Sequence, residues 1–154
     1  MKKIIPILII GLFLISGSCE KNPFVEKFYT ITIINQSSQM IYFLGYDKFS
    51  EIQYPDTTLP IQKPNATILG HGAKFFIDKR EPWSEEIDEL PADTISFFFF
   101  DKAVFEDSLW TEIKNDYLIL KRYDLSLQDL ENLDFNIPYP PVETMEGMQI
   151  YPPE

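Results

Sequence analysis

The chain is expected to adopt an α+β fold: a single β-rich domain with two or three short helices and a mixed sheet with one helical crossover. Three observations predict it. Phe28, Thr30, Thr32 and Ile34 alternate with Tyr29, Ile31 and Ile33, the two-residue period of a strand with distinct faces. The run Ser96-Phe97-Phe98-Phe99-Phe100 has no alternation, as in a strand buried on both faces, and acids flank it at Asp93 and Asp101. Trp83, Ile87 and Leu90 recur instead at the spacing of one helix face.

The chain opens with Lys2 and Lys3, continues with the apolar run "IIPILIIGLFLI" and closes on small residues that end in Cys19, the only cysteine. This is the make-up of a secretory signal, not of fold material. The apolar run is shorter than the roughly 20 residues that span a bilayer. Residues 1–18 therefore read as a signal peptide and residues 19–27 as a tether. The stretch "LISGSC" resembles the lipobox of bacterial lipoproteins. That resemblance implies a diacylglyceryl group on the Cys19 sulfur, cleavage just before Cys19, and further acylation such as palmitate on the new amine. The physics is compatible, because two or more acyl chains anchor a protein stably at about 0.8 kcal/mol per buried methylene.

Residues 28–136 read as the compact domain. Asn35 to Gln39 interrupt the first strand pattern and Met40–Tyr46 resumes it, so a hairpin is expected. Residues 47–65 carry Pro55, Pro60 and Pro64 and read as an extended surface loop. "ATILGHGAKFFID" predicts two short strands around Gly70-His71-Gly72. Pro82 suits the first turn of the helix bearing Trp83. Phe105, Leu109, Trp110, Ile113 and Tyr117 form a second helical stripe. The segment Asp101–Tyr117 is long enough for a crossover, so the strands before and after it are expected to be parallel. "YLILKRYD" reads as the second of those strands. Ser126 can cap a helix with Asp129 three residues on and Leu127, Leu130 and Leu133 as its apolar face. Residues 137–154 are set apart as a Pro- and Tyr-rich tail with "IPYPP" and "IYPP"; it can dock a partner or, as preferred, pack its Ile and Tyr onto the domain.

Without its signal the chain keeps 136 residues, one domain in size. Lys2 and Lys3 leave with the signal, so 11 basic residues face 24 acidic ones, a net charge of −13. That argues against nucleic acid as a partner, which needs clustered Lys and Arg, and against adsorption to anionic lipid by charge. His71 is the only histidine, so a Ser/His/Asp or Cys/His site would have to use it; between two glycines it reads as a turn residue. No calcium loop, zinc spacing or phosphate-binding glycine loop is present, so no metal, cofactor or catalytic residue is assigned. Glu85, Glu86, Asp88, Glu89, Asp101, Glu106 and Asp107 could supply the two carboxylates of a glycosidase, though most acids in so acidic a chain are solvated.

"NQSSQMIYF", "YPDTTLP", "LPADTISFFFFDK", "YLILKRYDLSLQDLENL" and the Tyr-Pro-Pro tail are similar to a group of small, Bacteroides-type lipoproteins of Bacteroidota. This resemblance implies a compact domain in the cell envelope and transfers no catalytic residue. The outer membrane is favoured, with the periplasmic face and the cell surface both open. Asp56-Thr57-Thr58, Asp93-Thr94-Ile95 and Asp107-Ser108-Leu109 resemble the O-glycosylation signal of exported proteins of that phylum, and Thr57 is the best placed of the three hydroxyls. The expected function is that of a non-enzymatic binding or accessory module for an envelope protein or glycan. The alternative is a carboxylate-dependent hydrolase of envelope or dietary glycans.

Overall fold

The computed structural model describes residues 27–45 and 54–153, so the signal, Cys19 and nearly all of the tether lie outside the described residues. The described part is an α+β domain. Its elements are β1 (Tyr29–Asn35), β2 (Ile41–Leu44), β3 (Thr67–Leu69), β4 (Lys74–Lys79), α1 (Trp83–Ile87), β5 (Thr94–Asp101), α2 (Lys102–Asp107), α3 (Trp110–Asn115), β6 (Lys121–Ser126), α4 (Leu127–Asn132), β7 (Asn136–Tyr139) and β8 (Gln149–Tyr151). Two tight 3-10 turns, Pro91–Asp93 and Glu143–Met145, complete it. The strands form a three-stranded sheet, β4-β1-β7, and a five-stranded sheet, β3-β2-β5-β6-β8.

β5 sits in the middle of the larger sheet and buries six consecutive residues, Ile95 to Phe100. Successive side chains of a strand point to opposite faces. Phe97 and Phe99 enter the core between the sheets, with Ile31 and Ile33 of β1, Phe43 of β2, Tyr123 of β6 and Ile137 of β7. Phe99 stacks on Tyr139 of the smaller sheet at 4.8 Å between ring centres. Phe98 and Phe100 face the other way, into a second core closed by Phe105, Ile113 and Leu59. The domain thus has three layers: the small sheet, the large sheet, and a cover made by α2, α3 and the proline-rich loop. Leu59 is 2 % exposed, so that loop lies partly inside the fold and not only on its surface.

The expected hairpin of residues 28–46 does not form. β1 belongs to the small sheet and β2 to the large one. Asn35 decides this. Its fully buried side-chain amide donates to the Gln39, Leu69 and Gly70 carbonyls at 2.7, 3.0 and 3.1 Å. Its Oδ1 accepts from the Ser37 N–H and hydroxyl. The chain therefore arches from sheet to sheet at Asn35 and returns through the arch at Gly70–Gly72, where Gly72 has a left-handed φ of 73° and donates to the Asn35 carbonyl. The two strands expected around His71 are present as β3 and β4, but they too lie in different sheets.

The strands flanking the helical segment are antiparallel, not parallel: Thr94 faces Ser126 and Phe99 faces Lys121. A crossover would have to carry the chain back along eight residues of β5, about 26 Å at 3.3 Å per residue. The single helix expected there is two six-residue helices that break at Ser108–Leu109, each only about 9 Å long. They fold against each other and return the chain to the end it left. The break also turns Leu109 outwards, 66 % exposed, whereas Phe105 and Ile113 stay buried. The mixed pairing occurs instead in the small sheet, where β1 runs parallel to β7 and antiparallel to β4.

Other expectations match in detail. Trp83 and Ile87 are buried on α1, and Leu90 is buried just beyond its end. Ser126 and Asp129 form a reciprocal cap on α4, which buries Leu130 and Leu133. The strand expected over residues 117–124 begins later, at Lys121, and ends at Ser126. The segment set apart as a tail supplies β7 and β8, one strand to each sheet, so the boundary expected after residue 136 falls inside β7.

These arrangements rank three substitutions by urea denaturation. Phe98→Ala should lower stability by about 3–5 kcal/mol. Asn35→Ala, which strands three carbonyls, should lower it by roughly 3 kcal/mol. Phe76→Ala, at a position 56 % exposed, should stay within about 0.5 kcal/mol of the parent. An unchanged midpoint for Asn35→Ala would refute its place at the arch.

Candidate functional site

Three features carry polar chemistry or open space. The first is a clamp on the helix-covered face of the large sheet. Arg122 of β6 lies opposite Phe98 of β5 and Tyr151 of β8, and Asp124 lies opposite Ser96. Asp124 is 3 % exposed; its Oδ1 accepts from the Ser96 hydroxyl at 2.7 Å and its Oδ2 from Arg122 Nε at 2.8 Å. Arg122 Nη1 donates to Thr57 Oγ1 at 2.8 Å and to the Tyr117 hydroxyl at 2.5 Å. Tyr117 in turn donates to the Thr57 carbonyl at 3.2 Å. The guanidinium also sits 5.2 Å from the Tyr151 ring centre. Burial works against the Arg122 charge, but the Tyr117 hydroxyl and the Asp124 carboxylate outweigh it and hold its pKa above the ordinary value. Both Asp124 oxygens are occupied, so the cluster is suited to joining β6, β8, the end of α3 and the loop at Thr57, and not to proton transfer.

Thr57, the sequence candidate for a sugar, is therefore half-buried with its hydroxyl held by Arg122. An Asx turn, Thr58 N–H to Asp56 Oδ1 at 3.1 Å, sets the loop there. Of the other two hydroxyls, Thr94 donates to the Ala92 carbonyl and Ser108 ends α2. His71 is exposed and meets the Ser37 carbonyl through Nδ1, so it bridges the two arches.

The second feature is a shallow groove of about 480 Å³ beside the stacked rings of Tyr42 and Phe105, 4.5 Å apart. Tyr42 donates to Glu106 Oε1 at 2.9 Å, and Lys102 pairs with Glu106 Oε2. The hydrogen bond from Lys102, then that from Tyr42, holds the Glu106 carboxyl below its ordinary value. The hydrogen bond to Glu106 likewise raises Tyr42.

The third is a cleft of about 440 Å³ built from the C-terminal segment between β7 and β8. Pro141, Val142, Met148, Ile150 and Pro153 form its walls, Met145 its floor, and Glu143 and Glu146 its rim. Gly147, with φ of 87°, makes the turn into β8. Met145 is 1 % exposed and belongs to the core between the sheets, so the cleft has a rigid base.

The acids singled out in the sequence do not converge. Glu86 pairs with Lys79, Asp101 Oδ1 caps α2 by accepting from the Val104 N–H, and Glu106 belongs to the groove. Glu85, Asp88, Glu89 and Asp107 are exposed. Among the described residues Glu143 and Glu146 line one cleft together, and both are exposed. Glycosidase carboxyls work from an enclosed site around the scissile bond, and this pair lies on an open rim. Among the described residues no three of His, Cys, Asp and Glu come together as a metal site, and no helix is long and apolar enough to cross a membrane. No family model, curated protein or solved structure matches the chain.

Sequence reasoning passed over Arg122 and the cleft. Arg122 and Asp124 are two apart in a strand, hence on one face, which is a usable signal for the clamp. "ETMEGM" between two Tyr-Pro-Pro segments marks the cleft only once the flanking strands are known to diverge to different sheets. The Glu106 pairing predicts a pH effect. Its folded pKa is depressed, so its contribution is full above the ordinary value of 4.5 and vanishes as the pH falls through the lower folded value. The melting temperature of the parent should therefore exceed that of Glu106→Gln at pH 7, with the gap closing below pH 4.5; a gap constant from pH 7 to the acid limit would refute the pairing.

Proposed function

We propose that the chain is a lipid-anchored, non-enzymatic binding module of the cell envelope, held to the membrane through Cys19, with the outer membrane favoured. The observation that carries this reading is the position of the only cysteine, at the end of a charged, apolar and small-residue signal. The resemblance of "LISGSC" to a lipobox and of the domain stretches to Bacteroidota lipoproteins supports it. So does the charge: 24 acids against 11 bases after Cys19 leave no electrostatic route to anionic lipid, so a covalent lipid is the available anchor. β1 starts ten residues after Cys19, which leads the tether directly into the central strand of the small sheet. The partner on this reading is an envelope protein or a glycan. A hydrolase reading rests on Glu143 and Glu146 alone, and their exposure weighs against it.

Cells fed labelled palmitate should incorporate it into the parent protein, which should stay with membranes through high-salt washes, because acyl burial is not screened by ions. Cys19→Ala should take up no label and migrate as a larger, uncleaved precursor. Absence of label from the parent, or unchanged processing of Cys19→Ala, would falsify the anchor. The resemblance of Asp56-Thr57-Thr58 to an O-glycosylation signal makes Thr57 the candidate site of a sugar on the same reading, and its half-burial and hydrogen bond from Arg122 weigh against it. A sugar mass on the mature protein that is lost in Thr57→Ala checks it, and a bare polypeptide mass removes it.

A further inference from the structure

The C-terminal cleft has a shape and charge that the binding-module reading leaves unused. Its walls are aliphatic and thioether side chains, and its two polar side chains, Glu143 and Glu146, are both carboxylates. Among the described residues no Lys or Arg lines it to neutralise them. Among the described residues no aromatic ring lines it either, so they offer no flat platform on which sugars stack. Its volume of about 440 Å³ falls in the range of ligand sites, about 300–1,000 Å³. Lysine and arginine combine an apolar stem with a charged head, and bury the first while presenting the second to a carboxylate. Methionine walls adapt to different apolar partners because the thioether chain is unbranched and polarisable.

From this complementarity we infer that the cleft between β7 and β8 receives a basic peptide segment whose cationic side chains alternate with aliphatic ones. This rests on the binding-module reading and names the surface and partner chemistry for it. Met148 and Ile150 hold the aliphatic side chains of the peptide, and Glu143 and Glu146 hold its cations. The segment once separable as a docking tail is thus the receptor. The net charge of −13 after Cys19 adds a long-range pull on the same partner, but a pull spread over the whole surface would not depend on these two residues.

The test titrates the mature lipidated chain, in non-ionic detergent, into the fluorescein-labelled peptide Lys-Leu-Lys-Leu-Lys and reads anisotropy. The parent should bind this peptide and not Glu-Leu-Glu-Leu-Glu. The double variant Glu143→Gln/Glu146→Gln should bind about tenfold more weakly, as expected for the loss of two rim ion pairs acting together. The control Glu85→Gln/Glu89→Gln removes the same charge from exposed positions on and just beyond α1 and should bind like the parent. The inference is overturned if the parent does not bind, if the acidic peptide binds as well, or if the control weakens binding as much as the cleft variant. Binding of chitotriose with no binding of the basic peptide would overturn it in favour of a glycan. Palmitate incorporation at Cys19 is read separately, so failure here leaves the anchor standing and failure there leaves the cleft testable.

Discussion

Four consecutive phenylalanines in one strand place two rings on each side of a sheet, and neither side can be left to water. Burying a phenylalanine is worth about 2 kcal/mol, so β5 requires two covers. One is the small sheet, which brings Ile31, Ile33, Ile137 and Tyr139 over Phe97 and Phe99. The other is the pair α2–α3 with Leu59, over Phe98 and Phe100. Every other element is arranged by this demand. The ring contacts run continuously from Phe75 through Phe43 and Phe99 to Tyr139 in one core, and from Tyr42 through Phe105 to Trp110 in the other.

A chain that must build both faces of one strand has to pass repeatedly between layers, and each passage leaves backbone groups without a strand partner. The fold meets this with buried polar side chains that serve several groups at once. Asn35 satisfies three carbonyls from two segments at the point where β1 gives way to β2. On the outer face Asp124 ties Ser96 and Arg122 together by side-chain hydrogen bonds, and Tyr117, held by the same Arg122, donates to the Thr57 carbonyl of the loop. An unmet buried carbonyl costs about 1–3 kcal/mol, so these side chains fix where the arches and the loop sit.

The last passage, from β7 in the small sheet to β8 in the large one, creates the cleft. Because the two strands diverge into different sheets, the segment between them cannot close into a hairpin. It covers the gap with Met145 below and leaves Val142, Met148 and Ile150 half-exposed above it. The proposed docking surface thereby follows from the same requirement that shaped the core. The proposed lipid anchor is independent of it, since Cys19 precedes β1.

The sequence by itself determined what depends on neighbours along the chain. The alternation of β1, the helical spacing of Trp83, Ile87 and Leu90, the Ser126–Asp129 cap and the two-sided burial of β5 are local patterns, and each is found in place. The pattern read as a signal ending at Cys19 is equally local, and the proposal of a lipid anchor starts from those residues. Tertiary structure decided what depends on which surfaces meet. A polar break between two strands suits a hairpin or an arch equally; only the carbonyls of Leu69 and Gly70, 34 and 35 residues away, select the arch. The helical link between β5 and β6, residues 102–120, permits parallel or antiparallel return, and the break at Ser108–Leu109, with both helices packed over Phe98 and Phe100, selects the second. The Arg122 clamp and the C-terminal cleft combine segments that have no common pattern in sequence, because hydrogen bonds and cavities form between whatever side chains the sheets bring together.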